Sequence, residues 1–354
     1  MKKLLMVMGI TLVMFMVTNI VSPKESLEGI KKREKEYQQY REEVKKYTDE
    51  IILDEIINKN APVEKIKALI GEMGKRGLEK GRPILEKFIA DADKVPHEKR
   101  MWRDLIIPEV EYGRNAKVSL LRLDFKSSGK DDKEYLPFLL DKIRKFEQHD
   151  ETFTLLGEIT PVRYEEIGKH LLANKEDAWL SINLLNALGG TENDKVQSVI
   201  VEYLKWCRKT KRDKNEVSYT FKGKEIKVLI YSDAQMALSS IGNRQSLEIF
   251  KEDLGHMNTE VRRSSVYGIG NLIKRKVIDL SEIDSIINTI KDDKDSSVQE
   301  AYKNLQRIIR DIKEEEKSKQ NDSKPKDSPD KSGKDDTDHS GDKSPGQDKP
   351  PDKK

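Results

Sequence analysis

Residues 205–214 read K-W-C-R-K-T-K-R-D-K, so that Lys205, Arg208, Lys209, Lys211, Arg212 and Lys214 crowd around the indole of Trp206. Ammonium and guanidinium groups at this density attract phosphate or carboxylate, which makes the stretch a candidate site for an anionic envelope polymer or a lipid headgroup. Val217, Tyr219 and Phe221 follow in alternation, as in a short strand or hairpin arm. A second candidate is the run of Gly71, Gly74, Gly77 and Gly81 around Lys75, Arg76, Lys80 and Arg82, because backbone donors ahead of a helix can cradle an anion. Its spacing fits neither a P-loop nor a dinucleotide fingerprint, so it reads as an inter-helix turn in which glycine stops the helix. His97, His149, His170 and His256 are scattered, and carboxylate pairs such as Glu165 and Glu166 are expected at a charged fraction of 37%. The chain has neither H-E-x-x-H nor G-x-S-x-G. Cys207 is the single cysteine, which excludes a disulfide or a thiolate zinc site within one chain. The expectation is a non-enzymatic protein with no catalytic residues, no metal and no cofactor.

The elements that would carry such a site follow from hydrophobic spacing. In residues 258–273, Val261, Ser265, Gly268 and Ile269 fall on one helical stripe that Gly270 closes, while Glu260, Arg262 and Arg263 face away. One helix cannot bury a single apolar stripe, so the pattern predicts neighbours of the same kind. They are supplied by residues 65–74 with a second helix from Arg82, residues 109–123 with one from Tyr135, and residues 151–157 with 161–172. Residues 177–189 with 194–206, residues 232–242 with 246–254, and residues 280–291 after the 258–273 stretch continue the series, which 295–309 ends. The 205–223 connection is its one long interruption, and long insertions in repeat proteins often lie on a binding face.

These segments resemble HEAT-type repeats, including the HEAT-like class of phycobilisome lyases, over about residues 61–312 and most strongly at 177–189, 258–273 and 295–305. Each has an acidic or amide turn residue, then a hydrophobe, then small or apolar residues four, seven and eight steps on. Asp233 departs from this by standing where a hydrophobe belongs. The resemblance implies an all-α fold, an α-solenoid of HEAT-like helical hairpins, that binds a protein partner as a scaffold or adaptor. Its remoter implication is a lyase-type enzyme.

The flanks are of other kinds. Residues 1–22 pair Lys2 and Lys3 with an apolar run, the layout of a signal peptide or of an uncleaved signal-anchor that would hold the protein at a membrane. Either places the body outside the cytoplasm. Residues 25–60 form a charged helix, a stalk or a cap, in which Tyr37, Tyr40, Val44, Tyr47 and Ile51 make a seam extended by Leu27 and Ile30. Residues 27–51 could thus pair two copies as a coiled coil. Residues 314–354 form a polar tail, without an aliphatic or aromatic side chain from Ser318 on, and are expected to be disordered. A net charge of +3 from 67 basic and 64 acidic residues gives no global field that would point to nucleic acid.

Overall fold

Hydrophobic spacing of the helical kind produces helices almost throughout the structure, a computed structural model that describes residues 27–58, 61–100, 107–191, 193–221 and 223–322. The expected signal segment, residues 1–22, and the tail from residue 323 lie outside the described residues. The first part of the chain forms α1 (Leu27–Val44), α2 (Asp49–Asn58), α3 (Val63–Arg76), α4 (Arg82–Lys94), the single turn α5 (His97–Arg100), α6 (Pro108–Ser127) and α7 (Tyr135–Arg144). There follow α8 (His149–Ala173), α9 (Ala178–Gly189), α10 (Gln197–Lys209) and the antiparallel hairpin of β1 (Val217–Phe221) and β2 (Lys224–Val228). The series closes with α11 (Ile230–Ile241), α12 (Arg244–Asp253), α13 (Thr259–Lys274), α14 (Asp284–Ile290) and α15 (Ser296–Asp322). The protein is thus mostly helical, and its strands are confined to the 217–228 hairpin among the described residues.

Local chemistry sets the helix ends. Asp177 Oδ1 accepts from Leu180 N at 3.0 Å, Asn258 Oδ1 from Glu260 N at 2.9 Å and Asp295 Oδ1 from Ser297 N at 2.8 Å, so the turn residues of the repeat pattern are N-caps. Gly77 stops α3 in the left-handed region, at φ 70°, whereas Gly71 and Gly74 lie inside that helix.

The chain divides into two units, with the boundary between residues 309 and 310. Within the first, contacts run between neighbours in chain order. α1 packs on α3, α3 on α6, α6 on α8, α8 on α9, α9 on α11, and α11 on α13. Helices α4, α7, α10 and α12 pack mainly on α6, α8, α11 and α13 respectively. The stripe residues Val261, Ser265, Gly268, Ile269 and Gly270 are buried, as are Ile66, Leu69, Ile70 and Met73 of α3. Removing one such aliphatic side chain from water contributes roughly 1.5–3 kcal/mol. In the second unit, residues 310–322 are the charged end of α15, largely exposed over residues 310–317.

Two expectations need correction. The helix expected over residues 25–60 is two helices, because a turn at residues 45–48 lets α2 fold back toward α3. Arg76 holds that turn by donating to Val44 O, Lys45 O and Tyr47 O at 3.4, 3.0 and 2.7 Å. Tyr37, Tyr40, Val44 and Tyr47 of the seam pack into this chain's own core, and Ile30 and Ile51 stay exposed. The pair expected from residues 151–157 and 161–172 is present within α8 as two helical stretches that meet at a kink, where Pro161 supplies no N–H and Arg163 leaves helical geometry at φ −110°, ψ 21°. The tail expected from residue 314 is helical as far as Asp322, since Glu and Lys are good helix formers.

Two glycines of α3 separate packing from propensity. A Cβ on Gly74 would lie 2.7 Å from Ser119 Cβ and 2.8 Å from its Cα, and Ser119 Oγ donates to Ile70 O at 2.8 Å across the same contact. A Cβ on Gly71 would meet nothing within 4 Å. Thermal denaturation followed by far-UV circular dichroism should therefore show Gly71→Ala stabilised by about 0.5–1 kcal/mol. Gly74→Ala should be destabilised by about 1–3 kcal/mol, because α3 and α6 must part.

Candidate functional site

Arg208 is built into the fold rather than held out for a ligand. Its Nε donates to Tyr231 Oη at 2.7 Å, and its terminal nitrogens donate to Glu252 at 2.7 Å and Asp253 Oδ1 at 2.8 Å. Tyr231 Oη and Gln235 Nε2 both donate to the other oxygen, Asp253 Oδ2, at 2.7 Å, and Gln235 Nε2 reaches Ser265 Oγ at 2.9 Å. α10, α11, α12 and α13 thereby share one network. Asp253 is 3% exposed on its side chain, and burial pushes its pKa up despite the Tyr231 hydrogen bond and the Arg208 charge, which lower it.

Arg212 is also engaged. It pairs with Glu176, and its guanidinium lies 4.9 Å from the centre of the Trp206 ring. Lys205, Lys209, Lys211 and Lys214 are exposed, with Lys211 at φ 60° in the turn. Trp206 is half-buried against Tyr203 at 5.3 Å between ring centres. The seven candidate residues thus divide into two structural arginines, a tryptophan that covers the core, and four lysines in water. Lys205 alone of them lines a polar surface hollow of about 550 Å³ between α10 and α12, beside Gln197, Glu202 and Asn243. Cys207 is fully buried, and desolvation raises its thiol pKa to about 12, which leaves it an inert core group.

The expected hairpin arm is present, and its aromatic face has a use within the chain. Val217, Tyr219 and Phe221 of β1 are the half-buried positions. Trp179, at the start of α9, stands 5.0 Å from Tyr219, 5.4 Å from Phe221 and 5.0 Å from both Phe146 and His149 between ring centres. Its Nε1–H donates to Ile143 O at 2.8 Å. His149 meets Asn183 Oδ1 at 3.1 Å, and its pKa is raised first by the hydrogen bond to Asp150.

Asp233 and the buried polar pairs were not legible as a group. Asp233 stands on the first turns of α11, where desolvation and then the Glu260 carboxylate push its pKa up to about 7. Ser232 Oγ and Ser264 Oγ are 2.6 Å apart nearby. The only signal in the sequence was a polar residue at an apolar position. Arg262 likewise serves the fold, donating to Asp293 at 2.7 and 3.1 Å and to His256 O at 2.9 Å. Arg263 pairs with Glu260. Among the described residues no three His, Cys, Asp or Glu side chains come together as a metal cluster, and no helix is long and apolar enough to cross a membrane.

No protein-family model and no curated protein matches this chain.

Two measurements separate structural from free charge. Arg208→Ala leaves Asp253 buried without its cation and should cost about 3 kcal/mol in thermal denaturation, whereas Lys209→Gln with Lys211→Gln should stay within about 0.5 kcal/mol of the parent. Asp233 has a raised carboxyl pKa, so the folded chain holds its proton more tightly than the unfolded chain does. Its ionisation therefore subtracts stability as pH rises from about 4 to about 7. Asp233→Asn should accordingly be more stable than the parent at pH ~8, by on the order of 1–3 kcal/mol, and should lose that advantage near pH ~4.

Proposed function

We propose that the chain is a non-enzymatic, extracytoplasmic scaffold or adaptor, a HEAT-like α-solenoid that binds another protein on the surface its successive first helices present together. The serial packing of α1, α3, α6, α8, α9, α11 and α13 carries this reading. Each helix spends its apolar stripe on the next, which leaves a row of polar and half-buried side chains across many helices. Multi-point contact along such a row suits a protein partner better than a small substrate, which needs a few convergent groups in an enclosed cavity. Arg263 and Tyr267 of α13 are part of the row, with Glu260 and Glu300 as their charged neighbours. Residues 1–22 would direct export or hold the protein at the membrane surface.

A second reading is that Lys205, Lys209, Lys211 and Lys214 bind an anionic envelope polymer or headgroup. The exposure of all four lysines in one stretch favours it. It would give binding that falls with salt and vanishes when the four lysines become glutamine.

Chemical cross-linking of the full chain in envelope membranes, followed by mass spectrometry, tests the scaffold reading. The expected result is a protein partner captured by the parent and lost from Arg263→Ala with Tyr267→Ala, a variant whose circular dichroism is unchanged. Capture that is insensitive to this variant and to equivalent changes on the other first helices would overturn the reading.

A further inference from the structure

One face of α1, α3 and α6 carries more positive charge than its carboxylates neutralise. Lys67, Gly71 and Lys75 recur at four-residue steps and so lie on one stripe of α3. Lys67 Nζ and Arg41 Cζ sit 5.2 and 5.8 Å from the centre of the Tyr37 ring, which brings α1 and α3 to the same place. Arg122 of α6, with its side chain 10% exposed, pairs with Glu158 of α8. At the middle of the stripe Gly71 leaves a gap, since a side chain there would meet no atom within 4 Å of its Cβ.

The carboxylates of this face are committed elsewhere. Glu64 and Glu111 hold Lys67 at 2.9 and 3.6 Å, Glu158 holds Arg122, and Glu72 bonds Arg76 at 2.9 Å. Two cations are left over. Arg41 donates to the neutral Gln38 side chain at 3.1 Å, and Lys75 makes no hydrogen bond or ion pair with a described residue. Desolvation and then the Arg41 and Arg122 charges lower the Lys75 pKa, with Glu158 and Glu72 acting in the opposite sense. An anion brought between these groups would relieve that repulsion.

The arrangement also selects among anions. Glu64, Glu111 and Glu158 are interleaved with the cations and would repel a uniformly charged polymer such as nucleic acid or polyphosphate. A peptide whose carboxylates are separated by neutral residues meets the cations and passes the glutamates, and the gap at Gly71 admits its backbone.

We propose that this face of α1, α3 and α6 docks an acidic, extended segment of a protein partner, whose carboxylates pair with Arg41 and Lys75 on either side of Gly71. The inference rests on the scaffold reading and gives the chemistry of its partner.

The test is fluorescence anisotropy of a labelled peptide of repeated Glu-Gly-Ser units with the full chain. Arg41→Gln with Lys75→Gln should weaken binding at least roughly tenfold. Gly71→Gln, which fills the gap without changing charge, should also weaken it. Lys209→Gln with Lys211→Gln should leave it within about twofold, because these lysines lie elsewhere. Circular dichroism of each variant checks the fold, and a rise in the Lys75 pKa on binding, followed by NMR, reports the contact directly. Equal weakening by the two lysine-bearing pairs, absence of peptide binding to the parent, or tighter binding of single-stranded DNA or phosphatidylglycerol vesicles through Arg41 and Lys75 would each overturn the proposal. A partner still captured through Arg263 and Tyr267 when the acidic peptide fails would leave the scaffold reading standing and remove this inference alone.

Discussion

Each helix of the first unit has one apolar stripe that it cannot cover by itself, and the rest of the structure follows from how closely its neighbour can approach to cover it. At α3 and α6 the approach is set by Gly74 against Ser119. At α9 and α11 it is set by Gly189, where a Cβ would come within 2.8 Å of Ala237 Cα. Larger residues at either contact would hold the backbones apart and open the core on both sides, since interiors are packed as densely as organic crystals. The small residues are therefore conditions of the stack, not vestiges of a phosphate-binding loop. Gly268 makes the same point, because a Cβ there would meet the Phe250 ring at 2.6 Å.

Where the helix series is interrupted, charge rather than apolar contact does the joining. Arg208 links the end of α10 to Tyr231, Glu252 and Asp253, while Arg212 covers Trp206 and reaches back to Glu176. The hairpin that follows is fastened by aromatic contacts with Trp179. A buried pair such as Arg208 and Asp253 adds less net stability than its short bonds suggest, because both groups lose water to make it. It does restrict how the helices can be arranged, since any other arrangement leaves a buried carboxylate unpaired.

Some charges on the helix surfaces are paired and others are not. Arg262 of the best-formed repeat is consumed by Asp293 and a loop carbonyl, whereas Arg41 and Lys75 have no carboxylate partner among the described residues. All three are cations on helix surfaces, and nothing in local sequence distinguishes them. The difference arises from which helix happens to lie alongside.

The sequence by itself determined the helical class, the turn residues Asp177, Asn258 and Asp295 that cap their helices, and the alternation of β1. All of these depend on residue type and on spacing within a few positions. The break at residues 45–48 was not legible, because it is held by Arg76 from about thirty residues away. The kink that divides α8 near Pro161 was legible, since a proline inside a helical pattern ends or kinks it. The basic run was visible as charge, but its division into two structural arginines and four exposed lysines depends on Glu176, Tyr231, Glu252 and Asp253, residues from other helices. Tertiary structure alone decided which charges are spent and which remain, because an ion pair is a relation between segments and leaves no periodicity in either one.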